Sequence, residues 1–218
     1  MSPELWSALG VSIIQTLIMV GLATVFGLVL GLPLGVIIFL CRPGSLINCQ
    51  WLYRILAFIV NMVRSIPFII LLILLVPLTR LLIGTSIGTA AAIVPLAIGA
   101  APFIARIIDN ALQEVPYGLI EAGIAMGMNR LQIVTRVLLP EALPAIINGV
   151  TLTVVALVGY SAMAGAVGGG GLGDLAIQYG YNMFNTTLML ITVVVLILMV
   201  QGLQWGGEYL ARRTQRVR

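Results

Sequence analysis

Few residues in this 218-residue chain can do covalent chemistry. It contains no histidine, and all eleven basic residues are arginine. Nucleophilic triads and zinc sites built on imidazole are thereby excluded. The run GGGGLGD, 168–174, has glycines but no lysine to reach a phosphate, so it is not a P-loop. Cys41 and Cys49 are too few for a metal cluster and too isolated for a disulfide framework. They read as small apolar residues. No catalytic group, metal or cofactor site is expected. What stands out instead is charge where the surroundings are apolar. The stretch LIEAGIAMGMNRLQIVTRVLLPEALPAI, 119–146, carries Glu121, Arg130, Arg136 and Glu141 with a glycine break and two prolines, between long hydrophobic runs.

The elements that must hold this stretch are apolar. Hydrophobic residues make up 61% of the chain and charged residues 8%, with mean hydropathy +1.15. Soluble domains carry about 25% charged residues. The composition is that of a helical integral membrane protein, since a β-barrel would show short alternating segments. Uncharged intervals of 37, 25, 32 and 33 residues separate Glu4 from Arg42, Arg80 from Arg106, Glu141 from Asp174 and Asp174 from Glu208. About 20 helical residues cross roughly 30 Å of hydrocarbon, so each interval holds one span. A fifth span runs through 55–79 despite Arg64. The prediction is an all-α fold with five spans near 12–40, 55–79, 87–108, 145–166 and 186–207. They form a single transmembrane domain over 1–218, with a loop at about 111–143. With the N-terminus outside, Arg42, Arg54, Arg106, Arg130, Arg136, Arg212, Arg213, Arg216 and Arg218 fall on the inner side and only Arg80 outside. The positive-inside rule favours that orientation, which makes 119–146 cytoplasmic. The first basic residue is Arg42, so a cleavable signal peptide is not expected. The scattered arginines form no nucleic-acid patch.

Within the insert, Pro116 suits the first turn of a helix, where its missing N–H is not needed. A helix over 117–126 would end at Gly127 in the left-handed conformation. Asn129 then caps a second helix, with Gln132 at capping-box spacing. That helix is predicted to stop before Pro140, which disfavours helical geometry at Leu139. Leu119, Ile120, Ile124, Met126 and Met128 cannot all face one side. Either they pack on the protein's own spans, or some dock into a cytosolic partner.

The pattern Glu121-Ala122-Gly123, then Ala125, Met126, Gly127 and Met128, closing at Leu139-Pro140, resembles the EAA loop of ABC importer permeases. Gly123 stands where that motif usually has alanine. The resemblance extends over NMVRSIPFIILL (61–72), AAIVPLAIGAAPFIARIIDNAL (91–112) and LVGYSAMAGAVGGGGLGDLAIQYGY (157–181), which look like the methionine-uptake branch. It implies the type I importer permease fold, with the loop as a coupling helix seated in an ATPase groove. It implies a homodimer in the bacterial inner membrane, with spans two to five lining the path and span one outside. It further implies two cytosolic ATP-binding-cassette ATPase subunits, which bind the ATP and magnesium, and an extracytoplasmic substrate-binding lipoprotein. The implied cargo is methionine, D or L, and related compounds.

Three further features bear on a path. Tyr160, Ser161 and Met163, beside the glycine run, are candidates for a gate, against ordinary packing next to an external loop. No charge lies between Glu141 and Asp174, so a zwitterion meets no fixed ion on span four. That favours a passage whose selectivity is set by the binding protein. Arg64, inside the second span, is expected to snorkel to the interface. The competing functions are an ion-coupled carrier, which would use intramembrane carboxylates, and a membrane scaffold. All seven acids fall outside the predicted span cores, Asp109 just beyond the third.

Overall fold

The computed structural model describes residues 3–216; Arg218 and the Arg216 side chain, counted above, lie outside the described residues. Every element there is helical. Four long apolar helices dominate: α1, Pro3–Cys41; α5, Thr89–Gln113; α8, Leu139–Ala166; and α10, Thr186–Arg216. Each is long and apolar enough to cross a membrane. Helix α5 is the most buried and α10 the least.

The 55–79 segment is not one helix. It is divided among α2, Gln50–Ser65; α3, Phe68–Leu74; and α4, Val76–Ile83. Helices α2 and α3 meet at 103°. The break is local chemistry: Ile66 is extended, at φ −78° and ψ 125°, because the Pro67 ring excludes helical geometry before it.

Helices α1 and α5 run side by side in parallel, joined by glycines one turn apart. A Cβ at Gly31 would lie 2.6 Å from the Ala101 carbonyl oxygen, and Gly35 is as tightly set against Ala105 and Ile108. Gly27 faces Ala100 and Ile104 in the same way. Without side chains at these steps the backbones come close enough for dispersion along the pair. The core follows from this contact: Met19 and Ala23 of α1, Leu96, Ile104 and Ile108 of α5, and Leu157 of α8 are all at most 0% exposed.

The glycine run 168–171 is not an open loop. The Gly171 and Leu172 N–H groups donate to Gln15 Oε1 and Thr16 Oγ1 of α1, both at 2.9 Å. The Gly88 N–H donates to the Gly168 carbonyl at 2.8 Å. A short helix α9, Gly171–Leu175, and a π-helical turn, Ala176–Asn182, lead on to α10. This end of the bundle is thus stitched together. The opposite end carries α6, Tyr117–Ala125, and α7, Arg130–Ile133.

Candidate functional site

Helices α6 and α7 make an elbow whose bend is fixed by backbone hydrogen bonds. The Met128 N–H reaches the Gly123 carbonyl at 3.0 Å and the Gly127 N–H reaches Ile124 at 2.9 Å. With Gly127 at φ +75°, this is a Schellman ending. The next helix starts at once, as its spacing predicts. Asn129 Oδ1 accepts from the Gln132 N–H at 2.9 Å, and Gln132 Oε1 accepts from the Asn129 N–H at 2.8 Å.

The second arm does not stop at Leu139. A π-helical turn, Val134–Leu138, carries it into α8 without a break. Pro140 has no N–H, and in an α-helix its ring would strike the carbonyl four residues back. The wider turn lets the Leu139 N–H bond to the Val134 carbonyl instead. The elbow is therefore rigidly continuous with a long helix, and residues 139–143 of the predicted loop belong to α8.

The apolar residues divide. Ile120 (5% exposed) and Ile133 (1%) are buried in the core, and Gly123 and Met128 pack inward. Met126 (68%), Ile124 (51%) and Leu119 (41%) face outward. Glu121, Ala122, Ala125 and Gly127 are exposed beside them, Leu139 is half-buried and Pro140 exposed. One face is thus used by the bundle and the other is presented.

The root of the elbow is braced by charge. Asp109, expected beyond the third span, is fully buried four residues before the end of α5. Its Oδ2 accepts from Arg106 at 3.0 Å and Arg42 at 3.4 Å. Arg42 also donates to Gln113 Oε1, and Gln113 Nε2 donates to the Asp109 carbonyl at 2.9 Å. The Arg42 guanidinium lies 5.6 Å from the Tyr53 ring centre. The ends of α1 and α5 and the start of α2 are tied here, one turn before α6. Two guanidinium groups on one carboxylate make a strong brace. Removing both arginines would leave Asp109 an uncompensated buried charge, at a cost of about 3–5 kcal/mol.

The gate candidates part company. Tyr160 stacks on Phe68 of α3, with centroids 4.6 Å apart and planes at 10°. It lines a cavity of about 270 Å³ between α2, α5 and α8, with Arg64, Phe103, Arg106, Asn110 and Thr153. Ser161 is 2% exposed, its hydroxyl donating to the Val158 carbonyl at 2.7 Å. Met163 points out of the bundle and is 47% exposed. The Arg64 guanidinium lies over the Phe103 ring, 4.9 Å from the centroid. Sequence reasoning missed Phe103, Arg106 and Asn110. They fall at i, i+3 and i+7 on α5, a stripe readable once the helix is assigned.

The architecture has close counterparts. The chain is 55% identical over 199 residues to the probable D-methionine transport system permease protein MetI of Vibrio cholerae, covering 91% of this chain and 88% of that protein. It is 50% identical over 213 residues to the corresponding protein of Pasteurella multocida, covering 98% of each. Its fold superposes on a chain of the inward-facing MetNI methionine ABC transporter with a TM-score of 0.97, at 51% identity, over 98% of this chain and 99% of that one. The family model for binding-protein-dependent transport system inner membrane components matches residues 27–216. On its fold and on that match, the chain belongs to this family of inner-membrane transport permeases.

Proposed function

We propose that the chain is the permease subunit of an ATP-binding-cassette importer and that two copies form the path for an amino acid, methionine of either hand and related compounds. The α2–α3 pair then counts as the second of five spans, bent within the membrane. The N-terminus lies outside and the elbow and C-terminus are cytoplasmic. One observation carries the reading: the elbow is held at both its bend and its root, yet presents Glu121, Ile124 and Met126 outward. A handle needs this combination. Met126 is an adaptable apolar contact for a groove, and the unbroken passage into α8 carries a push on the elbow to the path. Two cytosolic ATPase subunits supply the hydrolysis, with their own ATP and magnesium, and an extracytoplasmic lipoprotein delivers the cargo. ATP-driven closure and reopening shift a two-state equilibrium of the bundle. Of the gate candidates, Tyr160 faces the path and Ser161 supports it by packing, while Met163 lies on the outer surface of the bundle.

The names of the relatives favour methionine, and the apolar cavity walls accept a thioether. An ion-coupled carrier would use intramembrane carboxylates, and Asp109, the one fully buried acid among the described residues, is engaged by two arginines. The test is co-purification with the candidate ATPase, then uptake in proteoliposomes. The variant Glu121→Ala with Gly127→Val is expected to lose the ATPase or to hydrolyse ATP without uptake. Full uptake by that variant, or uptake driven by an ion gradient with no ATPase present, would overturn the reading.

A further inference from the structure

Arg64 is a cation at the bend of an apolar helix pair, and among the described residues it forms no ion pair. Its one strong partner is the face of Phe103. A ring quadrupole holds a guanidinium in place but leaves its N–H donors free. A charge in such surroundings is costly unless a counter-charge or water meets it.

The space in front of it is shaped and charged. Two cavities, of about 270 and 210 Å³, share Arg64, Phe103 and Tyr160. The larger is just below the usual range of roughly 300–1,000 Å³ for small-molecule pockets, which suits a single amino acid. No acid lines either cavity. The second arginine of the larger cavity, Arg106, is taken by Asp109, and Asp109 is itself shared with Arg42. Two arginines on one carboxylate leave that cluster with a net positive charge, so the wall attracts anions and repels cations. Leu152, Leu157 and the two rings supply an apolar side, and a thioether packs well at a ring edge.

Resting on the importer reading above, we propose that the α2–α5–α8 cavity is a transient substrate site in which Arg64 receives the α-carboxylate of the amino acid. Phe103 holds the guanidinium in position. The absence of charge between Glu141 and Asp174 had suggested a passage without an ionic partner; the counter-ion comes from α2 instead. The permease then adds its own selection for a free carboxylate to that of the delivering protein.

The test is photolabelling of the assembled complex in membranes with L-photo-methionine, its diazirine mapped by mass spectrometry, together with ATP-driven uptake. Label is expected on the α5 and α8 segments lining the cavity. Unlabelled L-methionine should suppress it and methionine amide, which lacks the carboxylate, should not. Arg64→Gln is expected to lower labelling and uptake about tenfold or more, as for a lost charge-assisted hydrogen bond, and Arg64→Lys to restore most of both. Should Arg64→Gln fail to assemble, Phe103→Leu carries the test, with a loss of several-fold. Equal labelling in Arg64→Gln, competition by the amide, or uptake with no label on this chain overturns the site and leaves the importer standing. A wild-type complex with no ATP-driven amino-acid uptake removes the importer and the site together.

Discussion

Gly123 and Gly127 stand four residues apart on the same elbow and answer to different constraints. At Gly123 a Cβ would meet Ile133 at 3.5 Å and the Met128 sulfur at 3.6 Å, ordinary contact distances, and its φ is not in the left-handed region. Alanine therefore fits, and Gly123→Ala is expected to stabilise the protein by about 0.4–1 kcal/mol, by lowering the entropy of the unfolded chain. At Gly127 there is open space around a Cβ, but φ is +75°. The cost of Gly127→Ala is then one of backbone alone, about 1–2 kcal/mol. Thermal unfolding of the two variants in one detergent should move Tm in opposite directions. A Gly127→Ala protein as stable as its parent would mean that the left-handed turn is not what closes the elbow.

At the scale of elements, the α1–α5 pair is set by backbone approach, and its test has an internal control. Gly31→Leu must push the α1 backbone off the Ala101 carbonyl, which lies 2.6 Å from a Cβ there. Overpacking of this kind costs about 1–3 kcal/mol or more. Gly21→Leu, on the same helix with nothing within 4 Å of its Cβ, should leave thermal stability unchanged. Equal effects at the two positions would show that the pair tolerates separation. This contact was not legible in the sequence, because the spacing of Gly27, Gly31 and Gly35 says only that something can come close, not what. The elbow was legible: its glycine, its capping residues and its motif spacing are all local signals. Pro67 and Pro140 were visible as breaks, but their outcomes differ for reasons outside the local sequence. Ile66–Pro67 turns the chain by 103°, whereas Pro140 is absorbed by a π-helical turn in a helix that continues. The cavity around Arg64 was invisible because three helices far apart in sequence build it.

At the scale of the whole molecule, the two ends of the bundle differ in charge, and the difference supports the orientation proposed above. At the elbow end, Arg42 and Arg106 meet at Asp109, and Arg130 and Arg136 lie on the second arm. The last turns of α10 are at this end too, since α10 starts at the opposite end, where Met189 packs on Gly180, and has already reached Thr151 midway along α8 at Gly207; they bring Arg212 and Arg213. The other end has Arg80, bonded to Ser86 at 3.2 Å beside the turn at 84–88. Positive residues stay on the cytoplasmic side during insertion, so the proposed orientation follows from where the fold gathers its arginines. It can be read with an impermeant maleimide on intact cells. Cys41 is 2% exposed and Cys49 half-buried, so both are first replaced by alanine to give a silent background. Thr85→Cys, in the exposed turn, should then label without permeabilisation, and Thr135→Cys, exposed on the second arm of the elbow, only after it. Neither position lies in the packed core, so both variants should assemble. If Thr135→Cys labels on intact cells, the elbow faces outward, and an ATPase in the cytosol has nothing to grip.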